Sequence, residues 1–144
     1  MTHNSLLGPV VALIAWSLVM LLWMVVTRLP AMKKAGVDLN TRVGSTPGAL
    51  DGIVDDKAQW KAHNYIHLME QPTLFYAICG VLALVEQGAG LNLTLAWVYV
   101  GLRIAHSILQ ATVNIIRFRF ALFALSTLCL AALTVQAAIA VFHS

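Results

Sequence analysis

The segment Leu6–Thr27, LLGPVVALIAWSLVMLLWMVVT, contains no Asp, Glu, Lys or Arg. A helix needs about 20 apolar residues to cross a hydrocarbon core of about 30 Å, so this run reads as a membrane span. Pro9 stands near its start, where a missing backbone N–H costs little. The leader Met1–Ser5 carries no Lys or Arg, the apolar run is too long for a signal peptide, and no small-x-small site follows it. The segment therefore reads as a retained helix.

The rest of the chain has the same character. Of its 144 residues, 60% are hydrophobic and 10% charged, against about 25% charged in soluble domains; the mean hydropathy is +0.81. A soluble domain of about 150 residues leaves roughly a third of its surface in water, too much for this composition. Three further apolar segments follow, and the helices are expected over about 6–28, 56–85, 91–116 and 118–142. The fold class is thus all-α: an integral membrane four-helix bundle with four transmembrane helices. Spans two and three are joined by Glu86–Gln87–Gly88–Ala89–Gly90, whose glycines are expected to end one helix and reverse the chain. Spans three and four are separated only by Arg117–Phe118–Arg119.

The one long connection, about 29–55, is broken up by Pro30, Gly36, Gly44, Pro47, Gly48 and Gly52, with a short helix expected after Ser45 or after Asp51. Asp55 and Asp56 suit the positive end of the next helix. Arg28, Lys33, Lys34, Arg42, Lys57 and Lys61 lie on this connection, and Arg117 and Arg119 on the third. In a four-span chain these loops share a side, so the positive-inside bias puts both in the cytoplasm and both termini outside. The net charge of +3 comes from residues that flank apolar segments, which excludes a nucleic-acid reading. Cys79 and Cys129 lie within apolar segments without metal-site spacing and read as small buried residues.

Polar residues inside the spans carry the functional question. His63, His67 and Glu70 follow i, i+4, i+7, and Arg103, His106, Gln110 and Asn114 follow i, i+3, i+7, i+11, each set forming one helical stripe. A charge at the bilayer centre costs several kcal/mol, roughly 3 to above 10, and such residues face protein or water. Glu70 lies 15 residues before Val85 and His106 15 after Leu91, so both stand about 22 Å from the intervening turn. Arg103 stands at about 18 Å. A Glu70–Arg103 ion pair is therefore expected, because a buried charge needs a partner. Pro72, two residues after Glu70, is expected to kink the helix and free carbonyls near Leu68 and Met69. The stripe has three readings: a ligand or catalytic pocket, interhelical glue, or a metal site of His63, His67, Glu70 and His106. No other metal signature, GxGxxG or P-loop is present.

At these same residues the chain resembles a known family. His63-Asn-Tyr-Ile-His-Leu-Met-Glu-Gln-Pro-Thr-Leu-Phe-Tyr76 is similar to the second-helix signature of the MAPEG superfamily, the membrane-associated proteins in eicosanoid and glutathione metabolism. Ala96-Trp-Val-Tyr-Val-Gly-Leu-Arg-Ile-Ala-His-Ser107, continuing to Arg119, is similar to its third-helix signature. The likeness is strongest over Asp56–Phe123 and looks closest to the bacterial branch. It implies a homotrimer in a bacterial inner membrane, with glutathione held between protomers and an apolar substrate arriving from the lipid. The implied activity is a glutathione-dependent transferase or peroxidase; a non-enzymatic binder of a lipid or small acidic ligand, or a purely structural bundle, are the alternatives.

Carried over, the resemblance makes Glu70 the glutathione-contacting glutamate and Arg103 with His106 the Arg-x-x-His pair. Arg119 takes the place of the arginine that activates the thiol. The catalytic set is then Arg119, Arg103 and His106, and the glutathione-binding set His63, His67, Glu70, Arg103, His106, Gln110 and Arg117. The chain departs from the family where Arg and Asn give way to His63 and His67, and where Ile66 replaces a further Arg. Gln110 stands where several members carry a glutathione-stacking tyrosine.

Overall fold

The computed structural model describes residues 5–44 and 48–143. The expectations placed on Met1–Asn4, Ser45 and Pro47 lie outside the described residues. The described residues form five helices: α1 (Leu7–Lys34), α2 (Asp56–Leu68), α3 (Gln71–Leu84), α4 (Leu91–Thr112) and α5 (Ile116–Phe142). There is no strand among the described residues. With α2 and α3 taken as one broken rod, the bundle has four rods.

α1 runs on past Arg28 to Lys34 with Pro30 inside it. Pro30 forfeits only the bond its own N–H would make to the fourth residue back. The helix ends at Gly36, whose φ of 76° suits a residue without Cβ. The Val37 amide donates to the Met32 carbonyl at 3.0 Å and the Gly36 amide to Lys33 at 3.2 Å. This is a Schellman stop. Val37 packs on the small cluster of Met32, Leu50, Val54 and Ala58, which pins the connection to the bundle. No helix forms directly after Asp51; residues 48–53 make turns, with the Leu50 carbonyl accepting from Ile53 and Val54.

The turn after α3 stops the helix at Glu86, not at a glycine. Glu86 takes φ 59°, and the Gln87 amide donates to Leu82 at 2.8 Å. The glycines expected to end the helix stand beyond that point, and the stop is the same Schellman geometry with Glu86 in the glycine's place. Gly90, at φ 62°, then leads into α4. α4 ends sooner than expected, at Thr112, because Asn114 takes φ 55° and its amide donates to Leu109 at 2.7 Å. Arg117 and Arg119 consequently lie in the first turns of α5 and not in the connection.

α4 lies against α1, α2 and α5, and α3 against α1 and α5. Leu6, Leu13 and Met20 of the first rod meet Phe75, Cys79 and Leu82 of α3, Ala96, Tyr99 and Val100 of α4, and Leu130 and Leu133 of α5. Phe75 stacks on Tyr99 with centroids 4.3 Å apart. The distribution is inverted relative to a soluble bundle. α4 buries Asn92, Arg103, His106, Ser107 and Gln110 while Trp97, Val98 and Ile108 stand exposed. Val11, Leu18, Leu22 and Val26 form an outward stripe on α1, and Phe120, Leu125 and Leu128 are exposed on α5. α1 and α5 are long and apolar enough to cross a membrane, and outward Leu and Val beside an inward Arg is the arrangement lipid selects.

Candidate functional site

Pro72 sets the site. Having no N–H, it cannot continue the ladder of α2, and the rod breaks at Met69–Glu70, where Glu70 takes φ −86° and ψ −97°. The last turn of α2 tightens, with the Met69 amide donating to Ile66 at 2.9 Å and the Glu70 amide to His67 at 3.2 Å. In an unbroken helix the His67 carbonyl would bond the amide of Gln71. Here it also accepts from Arg103 Nη2 at 3.3 Å. Arg103 is fully buried, and it stands at the negative end of α2, where a cation is favoured.

Arg103 Nη1 also lies 3.4 Å from His67 Nε2, and His67 Nδ1 lies 3.1 Å from Glu70 Oε2. A guanidinium only donates. Nε2 therefore accepts, the ring proton sits on Nδ1, and Nδ1–H donates to the carboxylate. The expected direct Glu70–Arg103 ion pair does not form. Only a straight rod would bring Glu70 to the level of Arg103 on the inner face; the break turns Glu70 outward until its side chain is 63% exposed. The imidazole of His67 stands between the two charges.

His67 and His106 come together, with ring centroids 4.9 Å apart, and Phe123 lies 5.8 Å from His67 on another side. These rings, with Arg119, Ile116 and Phe120, line a cleft of about 340 Å³ between the break, α4 and α5. Arg119 Nη1 donates to Asn114 Oδ1 at 2.7 Å. The αL residue that ends α4 thus also fixes the cleft's cation. The cleft combines one guanidinium, two imidazoles and an apolar wall.

The remaining expected residues lie elsewhere. Arg103 bonds the backbone and ring of His67 from α4 and is not among the residues that line the cleft. Gln110 is buried, with its Oε1 unpartnered. Arg117 is exposed, its guanidinium 4.6 Å from the Phe118 ring centre. His63 faces the connection, its Nε2 3.0 Å from Asp51 Oδ1. Gln59 Nε2 donates to that same oxygen at 2.9 Å. That bond, ahead of the charge of His63, holds the Asp51 carboxyl below its ordinary range. Among the described residues no three His, Cys, Asp or Glu side chains converge on a metal position.

Three contacts escaped the stripe reading. Asn64 Nδ2 donates to Ser107 Oγ at 2.8 Å, joining α2 to α4. Tyr99 Oη donates to Gln71 Oε1 at 3.1 Å, and Gln71 Nε2 to Thr127 Oγ1 at 2.9 Å, tying α4, α3 and α5 together. Asn64, His67 and Gln71 follow i, i+3, i+7, a stripe beside the one that ends at Glu70, and that spacing was the available signal.

The whole helical core agrees with one family. The MAPEG family model matches residues 6–139. No curated protein and no solved structure matches the chain. The match runs from the first rod to the last and includes every residue of the cleft, so the chain, a helical membrane protein, belongs to the MAPEG family.

Proposed function

We propose that this protein is a glutathione-dependent transferase or peroxidase that acts on an apolar molecule dissolved in the membrane, using the cleft at His67, His106 and Arg119. It crosses the bilayer four times, the broken rod α2–α3 and α4 spanning with α1 and α5. It assembles as a homotrimer in a bacterial inner membrane. Lys and Arg gather at the helix ends on one side, at the end of α1, the start of α2 and the start of α5, which supports a cytoplasmic face there and termini on the other face.

The observation that carries the reading is Arg119, a guanidinium held by Asn114 and facing apolar Ile116, Phe120 and Phe123. A free thiol titrates near pH 8.5, and a fixed guanidinium lowers that value without losing its own proton. Glutathione supplies the sulfur nucleophile when bound. Arg119 holds negative charge at the sulfur, His106 orients or accepts the thiol proton, and the aromatic wall receives the apolar partner. Conjugation then forms one S–C bond, either as a leaving group departs from the apolar electrophile with the bonding pair, the thiol proton passing to solvent, or by addition across an activated C=C bond whose second carbon takes up a proton.

The residues fit glutathione in part. Arg119 suits the thiolate, and Glu70 offers a carboxylate for the ammonium. The two carboxylates of the tripeptide call for further cations, and among the described residues Arg119 is the only arginine or lysine lining the cleft. That shortage favours a second reading: a lipid or other small acidic amphiphile held by Arg119, with its tail on Phe120 and Phe123 and no chemistry done. Titration of glutathione into the purified protein, read as thiolate absorbance, separates the two. Growth of the thiolate band, lost in Arg119→Met, supports the transferase. Absence of binding at millimolar glutathione overturns it and leaves the second reading.

A further inference from the structure

A second cleft, of about 640 Å³, lies between the end of α1 and the start of α2 and shares no residue with the first. Lys34, Lys57 and Lys61 stand around it, with Asp55 as the one acidic residue among the described residues that line it, and Val26 and Pro30 form an apolar side. Lys34 and Lys57 are exposed, and neither makes an ion pair within the described chain. Lys61 is fixed. Its ammonium donates to the Lys57 carbonyl at 2.9 Å and the Ala111 carbonyl at 3.1 Å, and lies 5.1 Å from the Trp23 ring centre. The first turn of α2 also faces the cleft. Asp55 makes no side-chain bond to it, and the Ala58 and Gln59 amides donate to the Asp55 carbonyl, so the amides of Asp56 and Lys57 keep their capacity for an anion.

We propose that this cleft holds the headgroup of an anionic phospholipid, its phosphate between Lys34, Lys57 and the start of α2, its acyl chains running down α1. Two observations select a lipid over a soluble anion. Val26 lines the cleft and is 61% exposed on the outer side. It continues the outward stripe of Leu18 and Leu22, so an anion in the cleft has an apolar track leading directly from it. The cations also stand at the end of a helix long and apolar enough to span, the level at which lipid phosphates lie. This inference is independent of the reaction at His67 and requires only that α1 sits in a bilayer.

Native mass spectrometry of the whole protein, released from micelles with equal phosphatidylglycerol and phosphatidylcholine, tests it. The wild type retains phosphatidylglycerol preferentially. Lys34→Gln with Lys57→Gln lowers that preference by about five-fold per lysine, and Asp55→Asn raises it. Inorganic phosphate at millimolar concentration leaves the bound lipid in place. Equal retention of the two lipids, an unchanged ratio in the lysine variant, or displacement by inorganic phosphate overturns the proposal. Should the lysine variant fail to fold, Asp55→Asn decides alone: a ratio no higher than wild type overturns it.

Discussion

Arg103 Nη2 donates to the backbone carbonyl of His67 at 3.3 Å, so a fully buried guanidinium completes the broken end of α2. The same group holds His67 Nε2, and one residue therefore fixes both the backbone and the ring of its neighbour. A hydrogen bond to a charged group contributes about 1.5–3 kcal/mol. Arg103→Met is expected to lower stability by about that amount for the carbonyl bond, seen as a lower melting temperature in detergent. Arg103→Lys recovers little of the loss, because a single ammonium cannot reach two acceptors in the fixed fork of a guanidinium. A lysine variant as stable as wild type would count against the forked geometry.

Pro72 is the cause of the break, and Pro72→Ala tests that. The new N–H can bond the Leu68 carbonyl and extend the ladder across Met69 and Glu70. Glu70 then swings back toward the stripe, and the His67 carbonyl is contested between Arg103 and Gln71. Hydrogen exchange of the amides at 69–72 is expected to slow, while ligand binding at the cleft weakens because His67 moves. Unchanged exchange would mean that the break belongs to the packing around it and not to the proline.

The stripe Arg103–His106–Gln110 could be read because helical period survives into the structure, and all three side chains are buried. Its partner could not be read in the same way. Counting residues from Val85 places Glu70 correctly only on a straight rod, and the proline that spoils the count also frees the carbonyl that Arg103 takes. The end of α4 was hidden for a related reason: Asn114 takes a positive φ with no glycine to mark the stop, and the helix ends at Thr112. The cleft wall of Ile116, Phe120 and Phe123 was invisible in an unbroken apolar run, since nothing local distinguishes an inward phenylalanine from one facing lipid.

Asn114 links the end of α4 to the cation of the cleft, which separates position from stability. Asn114→Gly keeps the positive φ at no steric cost and deletes the bond to Arg119. The expected result is a melting temperature within a few degrees of wild type with a clear loss of glutathione thiolate formation. Asn114→Asp keeps an acceptor at the same place and is expected to retain the effect. Should Asn114→Gly bind glutathione and ionise it as wild type does, Arg119 needs no positioning, and its place in the cleft is incidental.

The clamp on the connection gives the last expectation, in pH. Asp51 accepts from Gln59 and faces His63, and its carboxyl titrates below the ordinary value in the folded chain. A carboxyl whose folded value is depressed contributes stability that is present above its unfolded value, about 3.9, and is lost as pH falls through the folded one. Asp51→Asn removes the charge that both neighbours favour. The melting temperature of wild type is therefore expected to exceed that of Asp51→Asn at neutral pH, and the gap to close as the pH is taken below about 4. Because the carboxylate is exposed, salt should narrow the gap at neutral pH as well. A gap that stays constant from neutral to acid conditions would assign the contribution of Asp51 to its shape in the turn and not to its charge.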